Sequence, residues 1–208
     1  PHDLAAVAAL KSGIAALARE RVGAEMKKLL LAPDPTVALR IMGETGVLAA
    51  TIEGLDPSRL GPLVEAERSA GLAPDWQRRL MAMAGLTFGK IGRSLRLSNA
   101  EKAALQRIEQ AVALTLPEAA YRHGVEAAES ACLLTTGALS PESRAEIAGA
   151  AAQTLPITAQ DLMTAGLKPG PALGKALASA EQHWIEHNFS FDKPALVAKV
   201  LAETGQPD

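Results

Sequence analysis

Forty-two of the 208 residues are alanine, while aromatic residues make up only 3% of the chain. Alanine is the strongest helix former and a poor filler of strand faces, which favour β-branched and aromatic side chains. A chain built this way cannot cover the faces of a wide sheet or a β-sandwich. It can bring helices close together, because a methyl group keeps two helix axes near one another. The composition therefore predicts an all-α fold, an irregular multi-helix array of about eleven helices with no sheet.

Helix starts are marked by recurrent caps. Asp34-Pro35, Asp56-Pro57 and Ser140-Pro141 each place a side-chain acceptor before a proline, whose missing N–H costs nothing in a first turn. Ser98-Asn-Ala-Glu101 reads as a capping box and Thr158-Ala-Gln-Asp161 as a near version of one. Together with the 3.6-residue periodicity these signals predict helices over 3–11, 15–31, 35–45, 57–70, 74–85, 98–114, 117–136, 141–153, 159–165, 171–187 and 193–203. Three segments are expected within one continuous all-α unit: 1–52, a body over 53–154 and a tail over 155–208. No fixed repeat period supports a solenoid.

Several function classes find no support. The single Cys132 excludes an internal disulfide framework and fits a reducing compartment, so the expected location is cytoplasmic. No run approaches the roughly 18 apolar residues of a membrane span, and the start, Pro-His-Asp-Leu, lacks the features of a signal peptide. Neither a phosphate loop nor a dinucleotide-binding glycine motif occurs. His183 and His187 stand four apart and can share a helix face, but two ligands do not close a metal site. Cys132 lies among Ala131, Leu133 and Leu134, the setting of a core thiol.

The net charge of −2 conceals a strong pattern. Between residues 78 and 107 stand Arg78, Arg79, Lys90, Arg93, Arg96, Lys102 and Arg107 against Glu101 alone, a local net of +6. Such an excess can raise the potential over one surface enough to attract a polyanion. It is equally the pattern of a solvated face paired with the acidic residues that follow. Lys90, Arg93 and Arg96 recur every third residue, which on a helix places them within an arc of about 120°. Farther on, Gly166-Leu-Lys-Pro-Gly-Pro171 opens a helix with proline. Free N–H groups at that helix start, with Lys168 and the small Gly170 beside them, can meet a phosphate. The same residues also suit a plain turn between two helices.

Two stretches resemble a known family. Ala18-Arg-Glu-Arg-Val-Gly-Ala-Glu-Met-Lys-Lys-Leu-Leu30, followed by Pro35-Thr-Val-Ala-Leu-Arg-Ile-Met-Gly-Glu-Thr-Gly-Val-Leu48, is similar to a segment of class II tRNA nucleotidyltransferases and bacterial poly(A) polymerases. Leu155-Pro-Ile-Thr-Ala-Gln-Asp-Leu-Met-Thr-Ala-Gly-Leu-Lys-Pro-Gly-Pro-Ala-Leu-Gly174, with Trp184-Ile-Glu beyond it, resembles the tail of the same family. Leu95-Arg-Leu-Ser-Asn-Ala-Glu101 and Ala120-Tyr-Arg-His-Gly124 fall between them in family order. The chain departs from the family pattern at Ala18, where serine is usual, and at Ala159-Gln160, where Gly-Arg is usual. The family's Gly-Ser turn, D-x-D carboxylate pair and E-D-x-x-R motif do not occur in these residues.

The resemblance implies the end of the neck, the body and the tail of such an enzyme, with the catalytic head outside these residues. It implies tRNA as the partner, gripped by shape and phosphates through Lys90, Arg93 and Arg96 and through the turn of Lys168 and Gly170. Glu20, Arg21 and Glu25 match the first motif, and their implied role is contact with the head. The whole enzyme would use ATP and CTP with magnesium, whereas this portion holds no cofactor, lies on no membrane and is expected to be inactive alone. Poly(A) polymerase is the nearest alternative, and a free-standing helical protein-interaction module is an alternative of another class.

Overall fold

The computed structural model describes residues 19–87, 89 and 95–204. Among them the chain forms twelve α-helices, one 3-10 turn and no strand, so the all-α expectation holds. The helices are α1 (Arg19–Leu30), α2 (Thr36–Glu44), α3 (Val47–Thr51), α4 (Leu60–Ser69), α5 (Trp76–Met83), α6 (Asn99–Val112), α7 (Leu116–His123), α8 (Val125–Thr136), α9 (Pro141–Ala151), α10 (Ala159–Thr164), α11 (Pro171–Glu186) and α12 (Lys193–Thr204). The 3-10 turn, Pro57–Arg59, leads directly into α4. The chain divides into two compact units at Ile147/Ala148.

Capping sets most of these boundaries. Both expected capping boxes form, with Ser98 and Glu101 satisfying each other's backbone N–H groups at the start of α6, and Thr158 and Asp161 doing so at α10. Asp56 accepts from the Ser58 N–H at 3.0 Å, and Asp75 accepts from the Arg78 N–H at 2.7 Å. The predicted helix over 3–11 lies outside the described residues.

Two expectations need correction. Residues 117–136 form two helices, because Gly124 adopts φ 84° and ψ 172°, a backbone region open almost only to glycine, between α7 and α8. The 57–70 stretch begins as a 3-10 turn and becomes α-helical only at Leu60. One short helix, α3, went unpredicted; Gly46, left-handed at φ 74°, separates it from α2.

In the first unit α6 packs most closely on α8, and α7 packs on both. Alanine explains the proximity: Ala111, Ala119, Ala120, Ala127, Ala128 and Ala131 are all buried where these helices meet. Around them Leu39, Leu60, Leu80, Met81 and Leu105 are fully excluded from solvent. In the second unit α11 packs on α10 and α12, with Leu162, Ala180, Leu196 and Trp184 in its interior.

Candidate nucleic-acid interface

The first helix carries one family of charges outward and a different one inward. Arg21, Glu25 and Lys28 are all exposed, and 100° per residue places them within an arc of about 60° on α1. Arg21 and Glu25 border a groove of about 430 Å³ floored by Val22, Met26 and Leu29 of α1 and by Met42, Val47 and Thr51 beyond it. Lys27 faces the other way. Its Nζ lies 2.6 Å from a Glu101 carboxylate oxygen and 5.5 Å from the centre of the Trp76 ring. That contact ties α1 to the N-terminus of α6 and, with the Ser98 hydrogen bonds, holds the Glu101 carboxyl below its ordinary range.

The structure redistributes the positive stretch. Arg78 and Arg79 do not contribute to a surface, because both are buried against the buried Glu67. Arg78 Nε donates to one Glu67 oxygen and Arg79 Nε to the other, each at 2.8 Å. Arg79 Nη1 also donates to the carbonyl oxygens of Leu30 at 2.7 Å and Ala32 at 2.5 Å. The guanidinium thus neutralises the negative end of α1 as well as a carboxylate. Desolvation explains the arrangement, since a buried charge persists only when paired and hydrogen-bonded.

Lys90 and Arg93 lie outside the described residues, so their place relative to Arg96 is not part of this geometry. Arg96 does not continue a helix. It sits in a turn with φ 49°, so the arc expected of three helical cations does not extend to it. Its exposed guanidinium stands 3.6 Å from the exposed Glu20 carboxylate, a pair worth little in water. The fold thereby brings together two residues for which the family resemblance implies separate roles. Of the remaining cations in the stretch, Lys102 is half-buried and Arg107 is exposed.

In the second unit, Gly166 stops α10 at φ 106°, and the Leu167 N–H returns to the Leu162 carbonyl at 3.1 Å while the Leu167 side chain is buried. This is a helix-stop turn of the Schellman type, and it leaves Lys168 and Gly170 exposed at the start of α11. Gly170 precedes Pro171 with no side-chain cap, and its carbonyl accepts from the Leu173 N–H at 3.1 Å in the first turn of α11. His183 Nε2 is 2.7 Å from Glu203, and His187 Nδ1 is 2.8 Å from the His183 carbonyl.

Residues 2–58, which include α1, α2 and α3, match the family model for the probable RNA and SrmB-binding site of polymerase A. RNA is the partner this match supports. No curated protein matches the chain. The matched residues are not basic, with six Lys and Arg against seven Asp and Glu, a net of −1. Of the described cations in this stretch, Arg21 and Lys28 are exposed, Lys27 is engaged by Glu101, and Arg40 pairs with Glu44 at 2.7 Å.

Sequence reasoning missed the two tethers, Lys27 and Arg79. Neither has a local signal, because the partners are 74 residues away in one case and 49 in the other.

Proposed function

We propose that this chain is the C-terminal tRNA-binding helical portion of a CCA-adding tRNA nucleotidyltransferase, acting in tRNA 3′-end processing in the cytoplasm. The observation that carries the reading is the match of residues 2–58 to a polymerase A RNA-binding region, set on a helix whose end is anchored in the body by Arg79. Lys90, Arg93, Arg96 and the Lys168 to Gly170 turn supply phosphate contacts, and shape supplies the rest, as suits structured RNA. Scarce aromatics argue against base stacking as the main mode. Glu20, Arg21 and Glu25 meet the catalytic head, and the groove beside Arg21 and Glu25 is the surface they offer it.

No catalytic step is assigned to these residues. Among the described residues no three His, Cys, Asp or Glu side chains gather where a metal could be held. The magnesium, ATP and CTP that the resemblance implies go with the head.

The family description names polymerase A, which favours a second reading: the same portion of a bacterial poly(A) polymerase. Both readings require RNA binding, and both are tested by titrating the chain with tRNA across a salt series. Phosphate gripping requires affinity that falls linearly in log–log form as salt rises. Absence of binding at low salt, or binding indifferent to salt, refutes both. Preference for tRNA over a poly(A) strand of equal length supports the first reading, and the reverse preference supports the second.

A further inference from the structure

A cavity of about 270 Å³ opens in the first unit, away from the residues that the family model matches. Asp75 and Gln77 line it from the start of α5, Ala104, Arg107 and Ile108 from α6, and His123 and Gly124 from the end of α7. Val125, Glu126, Ala127 and Ser130 of α8 close it. Its walls therefore alternate polar groups with small apolar ones.

Three polar side chains converge there without a partner of their own. Among the described residues Gln77, Arg107 and His123 form no side-chain hydrogen bond and no ion pair. Gln77 and His123 are half-buried, so neither is fully hydrated. The other polar groups of the wall differ, for Asp75 is occupied in capping α5 at 2.7 Å and Ser130 accepts from Arg78 at 3.5 Å. Polar groups aimed into a small concavity and left unpaired by the fold are what a bound molecule satisfies.

The chemistry of those groups defines the molecule. Arg107 is a cation with a planar fork of donors suited to phosphate oxygens. His123 becomes a second cation when it takes up a proton. The Gln77 amide presents one donor face and one acceptor, the pairing that reads the edge of a nucleobase. Ala104, Ile108, Val125 and Ala127 supply apolar surface for the flat face of a base. We propose that this cavity takes one unpaired nucleotide of an RNA strand, with its phosphate on Arg107 and His123 and its base edge on Gln77. The inference rests on the RNA-binding reading above and adds to it a site for a single nucleotide.

The charges around His123 set the expected signature. Burial and the neighbouring Arg122 and Arg107 push its imidazole below the ordinary value of 6.5, and only Glu118 opposes them. Glu126 and Asp75 complete the charged rim. A phosphate placed beside His123 favours the imidazolium, so binding takes up a proton and strengthens as pH falls below neutrality.

The test follows the His123 ring resonances of the whole chain by NMR while AMP, CMP, uncharged cytidine or inorganic phosphate is added. The nucleotides should shift the ring signals and raise the pH of their midpoint. Arg107→Ala, at an exposed site, should weaken nucleotide binding about tenfold, in line with the loss of one charged hydrogen bond. Gln77→Ala should weaken AMP and CMP but not inorganic phosphate. A His123 ring unmoved by millimolar AMP and CMP overturns the proposal, and so does inorganic phosphate binding as tightly as either nucleotide. tRNA binding measured on the same samples separates the two readings, because tRNA bound by a chain with an unresponsive His123 ends this inference and leaves the RNA-binding function standing.

Discussion

The Arg79 guanidinium reaches out of α5 to donate to the Leu30 carbonyl at 2.7 Å, at the end of α1, while its other side is held by the buried Glu67 carboxylate. One side chain thus couples the segment that resembles an RNA-binding region to the body behind it. A bare turn between α1 and α2 would leave the buried Leu30 carbonyl without a donor of comparable strength.

Removing that coupling should cost more than any surface change. Glu67→Ala leaves two arginines buried without their carboxylate and is expected to lower stability by about 3–5 kcal/mol, the range for breaking a buried pair. Denaturant unfolding measures it, and a loss below 1 kcal/mol would contradict the burial described here. Arg79→Lys keeps the charge and loses the fork, so it should fall between wild type and Glu67→Ala.

Gly23, inside α1, has no room for a side chain. A Cβ built there would run into the backbone carbonyl of Leu95, which is a part of the structure that cannot swing away. Gly23→Ala would gain about 1 kcal/mol of helix propensity in a free helix. In this protein it should instead destabilise by about 1–3 kcal/mol, the cost of overpacking. A rise in melting temperature would refute the close approach of α1 to Leu95.

Gly124 is required for its conformation alone, because a Cβ there meets no atom within 4 Å. Gly124→Ala is expected to cost about 1–3 kcal/mol through backbone strain at φ 84° and ψ 172°. Thermal melts of this variant beside Gly149→Ala, where the added methyl also meets nothing and no strained φ exists, isolate the strain.

Asp161 gives the second unit an acid-sensitive joint. Lys193 lies 2.6 Å from its carboxylate, and Thr158 donates to it through both N–H and hydroxyl. These contacts lower its pKa from 3.8 to about 2. The folded pKa is depressed, so the stabilisation is fully present above about pH 4 and is lost as pH falls toward 2. Melting temperatures taken across that window should decline in the wild type, and Asp161→Asn should show a shallower decline. Equal slopes would show that the pair contributes nothing.

Much of the fold was legible because its signals are local. Ser98 with Glu101 and Thr158 with Asp161 lie three residues apart, so the sequence displays both partners of each cap in one glance. The split at Gly124 was not legible, since a glycine within a periodic stretch is compatible with an uninterrupted helix until its φ is known. The interface was less legible still. Counting charges put Arg78 and Arg79 into a basic surface, and a count cannot tell a solvated arginine from one turned inward to a carboxylate.

By itself, then, the sequence determined that this protein is helical and where most helices start, because alanine content and caps act within a few residues of the backbone they shape. Tertiary structure alone decided which charges face solvent. Glu67 draws both arginines inside because the fold brings it within hydrogen-bond reach of each, and desolvation leaves them no other partner of equal strength. The same packing placed Arg107, Gln77 and His123 around one cavity from three helices, a juxtaposition that no spacing along the chain records.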